Sequence, residues 1–138
     1  MKKMDAKKIL LGHGNGGRMT HDLLQGLFLK KLSNPILREL SDSALIKSYK
    51  EPLAFTIDSF VVAPLFFSGG DIGRLAVSGT INDLVMQGAM PEYLALALII
   101  EEGLEYAILE DVVNFIARTA KSAGVLIVTG DTKVVEKT

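Results

Sequence analysis

The stretch 125–137, V-L-I-V-T-G-D-T-K-V-V-E-K, constrains the chain more than any other. Residues 125–128 form a short apolar run behind Gly124, which reads as a buried strand. That strand delivers Thr129, Gly130, Asp131, Thr132 and Lys133 to a sheet end, where a polar turn is expected. Gly130 lets the backbone turn or approach a ligand without a Cβ in the way. Asp131 is a hard oxygen ligand suited to Mg2+. Lys133 is a point charge suited to phosphate. A carboxylate and an ammonium two residues apart could hold a metal–phosphate pair, and a solvated ion pair would explain the same residues.

Upstream, L-G-H-G-N-G-G-R at 11–18 places four glycines within six residues. Backbone N–H groups of such a loop can converge on an anion. It lacks the Gly-Lys-Ser/Thr ending of a Walker A loop. Thr20 is expected to cap a helix running to about Leu32, with Leu23, Leu24, Leu27 and Phe28 as its apolar stripe. Asn34-Pro35 interrupts it, and a short helical turn follows to Leu40. Residues 44–46 and 53–57, joined through Lys50-Glu51-Pro52, predict a hairpin whose second strand ends at Asp58. Pro64 makes 61–67 an edge strand or extended loop.

A helix is predicted over 72–87, capped by Asp71 or Ser68 and stopped by Gly88. Ile72, Ala76, Gly79 and Asp83 share one of its faces, which puts a carboxylate at the end of a buried stripe, with Asn82 beside it. The run 93–100 reads as a strand buried on both faces, and Glu101-Glu102-Gly103 as the solvated turn closing it. A second helix is predicted over 106–123, with Leu109, Val112, Val113, Ile116, Ala120 and Ala123 as its stripe and Gly124 as its cap. Hairpin, helix, long strand, helix and strand make an α+β layer with helices on one side of the sheet.

Apolar residues reach 49% without glycine, against ~45–50% with glycine in an ordinary domain. The surplus implies doubly buried strands or a large apolar surface covered by a partner. A net charge of −1 argues against a generic nucleic-acid binder. Without cysteine, disulfides, thiolate metal sites and Cys nucleophiles are excluded for this chain. Only Ile9-Leu10-Leu11 follows the basic start, too short for a signal-peptide core, and no apolar run reaches membrane-spanning length. A soluble, cytoplasmic chain of one domain over 1–138 is therefore expected, with no membrane partner. Asp42, Asp58, Asp83 and Asp131 all fall at expected element ends. With the glycine loop and Lys133 they suit a site for Mg2+ and a polyphosphate.

Four motifs carry a family resemblance: G-H-G-N-G-G-R at 12–18, T-I-D-S-F-V-V-A-P-L-F-F-S-G-G-D-I-G at 56–73, G-T-I-N-D-L at 79–84 and T-G-D-T-K-V-V-E-K at 129–137. In that order they resemble the HypE family of hydrogenase-maturation proteins. That family lies in the superfamily of aminoimidazole ribonucleotide synthetase (PurM), thiamine-monophosphate kinase and selenophosphate synthetase. The resemblance implies a PurM-like N-terminal domain with a mixed β-sheet, and a homodimer whose sheets pair into a barrel with ATP sites near the interface. It implies Asp42, Asp58, Asp83 and Asp131 as Mg2+–phosphate ligands, and Asn82, Thr132 and Lys133 as nucleotide contacts. Gly12, His13, Gly14, Asn15, Gly16 and Gly17 would close over the nucleotide, and Lys133 and Asp83 would serve catalysis.

The implied reaction uses ATP to activate a carbamoyl oxygen on a C-terminal cysteine, leaving a thiocyanate for the nickel–iron centre. This is phosphoryl transfer, in which cations chiefly offset charge on the moving group. The implied partners are the carbamoyltransferase HypF and the HypC–HypD complex. The chain departs from that pattern in ending at Thr138 and in lacking the acceptor cysteine. The expectation is an ATP- and Mg2+-binding half, inactive alone. The competing expectation is a non-catalytic dimerisation module that assembles maturation partners.

Overall fold

A computed structural model of the chain describes residues 7–41, 43–46, 50 and 52–137. After a 3-10 turn at Leu11–Gly14 come helix α1 (Arg18–Leu23), a π-helical turn (Leu24–Phe28) and helix α2 (Leu29–Leu32). A second 3-10 turn spans Leu37–Glu39. Strands β1 (Phe66–Phe67) and β2 (Gly70–Asp71) form an antiparallel pair ahead of helix α3 (Ile72–Met86). Strand β3 (Tyr93–Glu101), helix α4 (Tyr106–Ala123) and strand β4 (Leu126–Val135) complete the order, with β3 and β4 parallel.

Helix α4 is the centre of the packing. Leu109, Val112, Val113, Ile116 and Ala120 are buried along one stripe, as the 3.6-residue period requires. Its first turns join Ile9, Leu23, Leu27, Phe28 and Ile100 in one core cluster. Its later turns join Val77 and Ile127 in a second. Gly124, at φ 71°, ends the helix and receives it with N–H bonds to the Ala120 and Lys121 carbonyls. On α3, Asp71 caps as expected, its Oδ1 accepting from the Arg74 N–H at 2.8 Å. Gly73 brings α3 onto α4, since a Cβ there would lie 2.6 Å from the Val112 carbonyl.

Strand β3 is not buried on both faces. Ile100 is buried while Ile99 is 78% exposed, and Ala95, Ala97 and Glu101 share the exposed face. The helices cover one face of the β3–β4 pair, so the alternation expected of a half-covered sheet replaces the doubly buried pattern. Among the described residues the expected hairpin is likewise missing. Residues 44–46 and 52–60 are not in strands; Lys47, Ser48, Tyr49 and Glu51 lie outside the described residues. Leu53, Phe55 and Ile57 are 70–89% exposed, because no strand of the described chain offers their backbone a partner. Phe60 seats this arm, its ring filling the space that a Cβ on Gly79 of α3 would need. Only two residues of the 61–67 run are strand, and Phe66 rests against Phe115 of α4 with ring centroids 6.2 Å apart.

Candidate functional site at the free edge of the last strand

The polar sequence Thr129 to Lys133 lies inside β4 rather than in a turn after it. Gly130 faces Leu96, Asp131 faces Ala97, and Lys133 faces Ile99 in the parallel register. Gly130 is needed for that pairing rather than for a turn, since a Cβ would collide with the Leu96 carbonyl. The register slips between Leu94 and Ala95, whose partners are Ile127 and Thr129, leaving Val128 as an inserted residue. That bulge lets Ile127 and Val128 both be buried. Beyond it, side chains alternate again and Asp131 and Lys133 emerge together on the exposed face.

Lys133 Nζ donates to Asp131 Oδ1 at 3.0 Å, and the Thr132 N–H donates to the same oxygen at 2.8 Å. The Lys133 hydrogen bond, helped by the Thr132 N–H, holds the Asp131 carboxyl below its ordinary range. Both side chains are about three-fifths exposed, so the pair is available to a ligand.

The glycine loop is a folded turn. His13 is buried, and its Nδ1 accepts from the Leu10 N–H at 3.0 Å. Asn15 Oδ1 accepts from the Gly17 N–H at 3.0 Å. Thr20 does not cap the helix; Gly17 is the cap, and the Thr20 hydroxyl reaches back instead to Gly16 and Gly12. The amides at Gly16 and Gly17 are thus spent on the turn itself, as backbone donors lacking helix partners must be. Glu102, expected in a solvated turn, accepts from the Leu11 N–H at 3.0 Å and ties the start of the turn to the end of β3. Gly14 lies so close to the Val134 N–H that a Cβ has no room.

The turn and the strand edge share one cleft of about 510 Å³, within the usual range for small-molecule sites. Gly14, Gly16 and Thr20 line one side; Gly130, Asp131, Thr132 and Lys133 line the other. Leu24, Phe28 and Leu32 from the helix, with Leu37 and Leu40 from the following turn, supply an apolar wall. β4 has no strand partner on this side among the described residues. Asn34, missed in the sequence, sets that wall: its Nδ2 donates to the Ile127 carbonyl at 2.8 Å and its Oδ1 accepts from Ile36 and Leu37. An Asn just after a helix end and before proline is the available signal for such a role.

The other predicted ligands stand apart. Asp83 and Asn82 are exposed near the end of α3, so the stripe predicted to bury Asp83 does not extend that far. Asp58 is exposed on the extended arm, and Asp42 lies outside the described residues. None of these lines the cleft, nor do Gly12, His13, Asn15 or Gly17. Among the described residues, no three His, Asp or Glu gather to hold a metal ion. The cleft's own donor set is one carboxylate beside one ammonium. That fits a cation shared with phosphate oxygens, since Mg2+ commonly takes one or two carboxylates plus phosphate and water.

Comparison with known proteins places the chain in a family. The family described as AIR synthase related protein, N-terminal domain, matches residues 40–138. Carbamoyl dehydratase HypE of Escherichia coli (strain K12) is 46% identical over 134 residues, which are 94% of this chain and 40% of that protein. The HypE of Rhodobacter capsulatus is 47% identical over 132 residues, 94% of this chain and 38% of that protein. A crystal structure of hydrogenase maturation protein HypE in complex with ATP superposes with a TM-score of 0.89 at 53% identity, over 93% of this chain and 38% of that one. HypE in a HypE–HypF complex superposes with a TM-score of 0.59 at 48% identity, over 83% of this chain and 37% of that one. The chain thus spans about 40% of the curated relatives it matches. By the match over residues 40–138, the chain belongs to the AIR synthase related protein family, whose N-terminal domain it carries.

Proposed function

We propose that this chain is the ATP- and Mg2+-binding half of a carbamoyl dehydratase for nickel–iron hydrogenase maturation. The observation that carries the reading is the cleft that the glycine turn lines together with Asp131, Thr132 and Lys133. The relatives named carbamoyl dehydratase and the HypE–ATP structure support the same assignment. In this reading the apolar wall receives the base and sugar, Lys133 meets phosphate, and Asp131 exchanges its ion pair for a metal bound to that phosphate. A bound Mg2+ supplies charge that offsets the phosphates. Asp58, Asp83 and Asn82, with Asp42, act as further ligands from a second copy or after the arm closes. Asp83 and Lys133 serve the transfer itself.

The homodimer is the second part of the reading. Ile99 and Val135 on the open sheet face, and Leu53, Phe55, Ile57 and Val61 on the arm, are 45–96% exposed. Apolar surface of that extent calls for a cover, and pairing the sheets of two copies into a barrel provides one. HypF and the HypC–HypD complex are the proposed partners, HypF being supported by the HypE–HypF structure of a relative. The proposed compartment is the cytoplasm; among the described residues no helix is long and apolar enough to cross a membrane.

The test supplies in trans a C-terminal half bearing an S-carbamoylated cysteine tail, together with ATP and Mg2+. ADP and thiocyanate should accumulate with the unaltered chain and not with Asp83→Asn. A dimer without any product or nucleotide binding would favour the non-catalytic assembly module instead.

A further inference from the structure

We propose that Thr20 is the positioning residue of the glycine turn, holding it where it lines the nucleotide cleft. The proposal deepens the ATP-binding reading and rests on it for its ligand. The Gly16 N–H donates to Thr20 Oγ1 at 3.0 Å, and the same hydroxyl donates to the Gly12 carbonyl at 3.3 Å. One side chain on α1 thereby bridges two points of the turn, four and eight residues away. Gly14, between those two points, is the residue pressed against the β4 backbone at Val134. Gly16, at φ 79°, takes a left-handed backbone shape that is open to it because it lacks a Cβ. A turn so rich in glycine has a large ordering entropy, and the hydroxyl ties it from the cleft side, where Thr20 is itself a lining residue, while Asn15 and Glu102 bond it at Gly17 and Leu11.

The alternative role for this threonine, a helix cap, is already filled by Gly17. At the third helical position its oxygen accepts from Gly16, one residue ahead of the cap, so the bond serves the turn and is not the capping-box bond, which would go to Gly17. Removing the hydroxyl leaves the Gly16 N–H and the Gly12 carbonyl without these partners and releases the turn from α1. The distance from the turn to Lys133, and with it the width of the cleft, then varies. Val keeps the shape and helix propensity of Thr while deleting the hydroxyl, and Ser keeps the hydroxyl alone.

The experiment measures amide hydrogen exchange at Gly16 and calorimetric affinity for Mg-ATP in the 138-residue chain, for the unaltered protein, Thr20→Val and Thr20→Ser. Exchange at Gly16 should speed up about tenfold in Thr20→Val and be restored in Thr20→Ser. Affinity should fall about tenfold in Thr20→Val and recover to within about twofold in Thr20→Ser, with protection in α4 unchanged in all three. Unchanged exchange at Gly16 in Thr20→Val overturns the tie. Altered exchange with unchanged affinity overturns its role in positioning. If the unaltered chain binds no nucleotide, the ATP reading fails, and exchange at Gly16 still decides whether Thr20 holds the turn.

Discussion

Gly130 on β4 lies flush against the carbonyl oxygen of its register partner Leu96 on β3, leaving no space for a Cβ. The polar sequence around Gly130 is thus locked into a parallel ladder, and the cleft inherits a rigid wall. Gly130→Ala should lower unfolding free energy by about 1–3 kcal/mol, as overpacking does. Gly26→Ala is the control, since its Cβ would meet only the Tyr106 hydroxyl at 3.9 Å; it should be neutral or stabilising by about 0.5 kcal/mol. Urea denaturation of both variants checks the contrast, and equal effects would contradict the packing account.

The Asn34 side chain joins the end of α2 to the bulged start of β4. Asn34→Ala removes the donor to Ile127 and leaves two N–H groups, at Ile36 and Leu37, without their acceptor. The expected loss is about 2–3 kcal/mol in urea denaturation, since buried groups lose their partners. Asn34→Asp keeps the acceptor and sets a carboxylate oxygen against the Ile127 carbonyl, so it should not restore stability at neutral pH. Full recovery in Asn34→Asp would mean that the bond to Ile127 contributes nothing.

The open sheet face predicts self-association. Sedimentation of the unaltered chain should show a dimer, and Ile99→Glu should shift it to monomer with little change in folding, since Ile99 is 78% exposed within one copy. A monomer at high micromolar concentration would contradict the barrel-forming dimer.

Asp131 offers a test of the ion pair by pH. Its carboxyl is held below the ordinary 3.8, first by the Lys133 hydrogen bond. A depressed folded value means that any stabilisation is present above 3.8 and is lost as pH falls through the lower value. The pair is exposed, so its effect on stability should be slight. Lys133→Ala should raise the Asp131 midpoint toward 3.8 in a carboxyl-carbon NMR titration, with the thermal midpoint at neutral pH nearly unmoved. An Asp131 midpoint unaffected by the substitution would contradict the contact.

Helix α4 could be read to its last residue because five buried side chains keep one period and Gly124 supplies the left-handed cap. Asp71 was legible as a cap for a similarly local reason. The length of β4 was not, because T-G-D-T-K resembles a loop; its polarity comes from an exposed face and an edge with no strand partner among the described residues, which only the tertiary arrangement creates. Leu53, Phe55 and Ile57 alternate as a strand should, but alternation cannot supply a neighbouring strand. The stripe through Ala76 and Gly79 does not reach Asp83, because such small residues fit a half-buried face as well as a buried one. The glycine loop and T-G-D-T-K were both legible as candidate ligand sites, and Gly14 and Gly16 line one cleft with Asp131 and Lys133. The bonds from Asn34 to Ile127 and from Leu11 to Glu102 join residues far apart in the chain, which a linear pattern does not encode.

The central claim is that the cleft between the glycine turn and β4 binds a magnesium nucleotide. Calorimetric titration of ATP with and without Mg2+ tests it most directly, comparing the unaltered chain with Lys133→Ala and with Lys121→Ala, which lies outside the cleft. Saturable, Mg2+-dependent binding is predicted, weakened about tenfold by Lys133→Ala through loss of a charged phosphate contact, and unchanged by Lys121→Ala. Absence of binding, or equal binding by all three proteins, would contradict it.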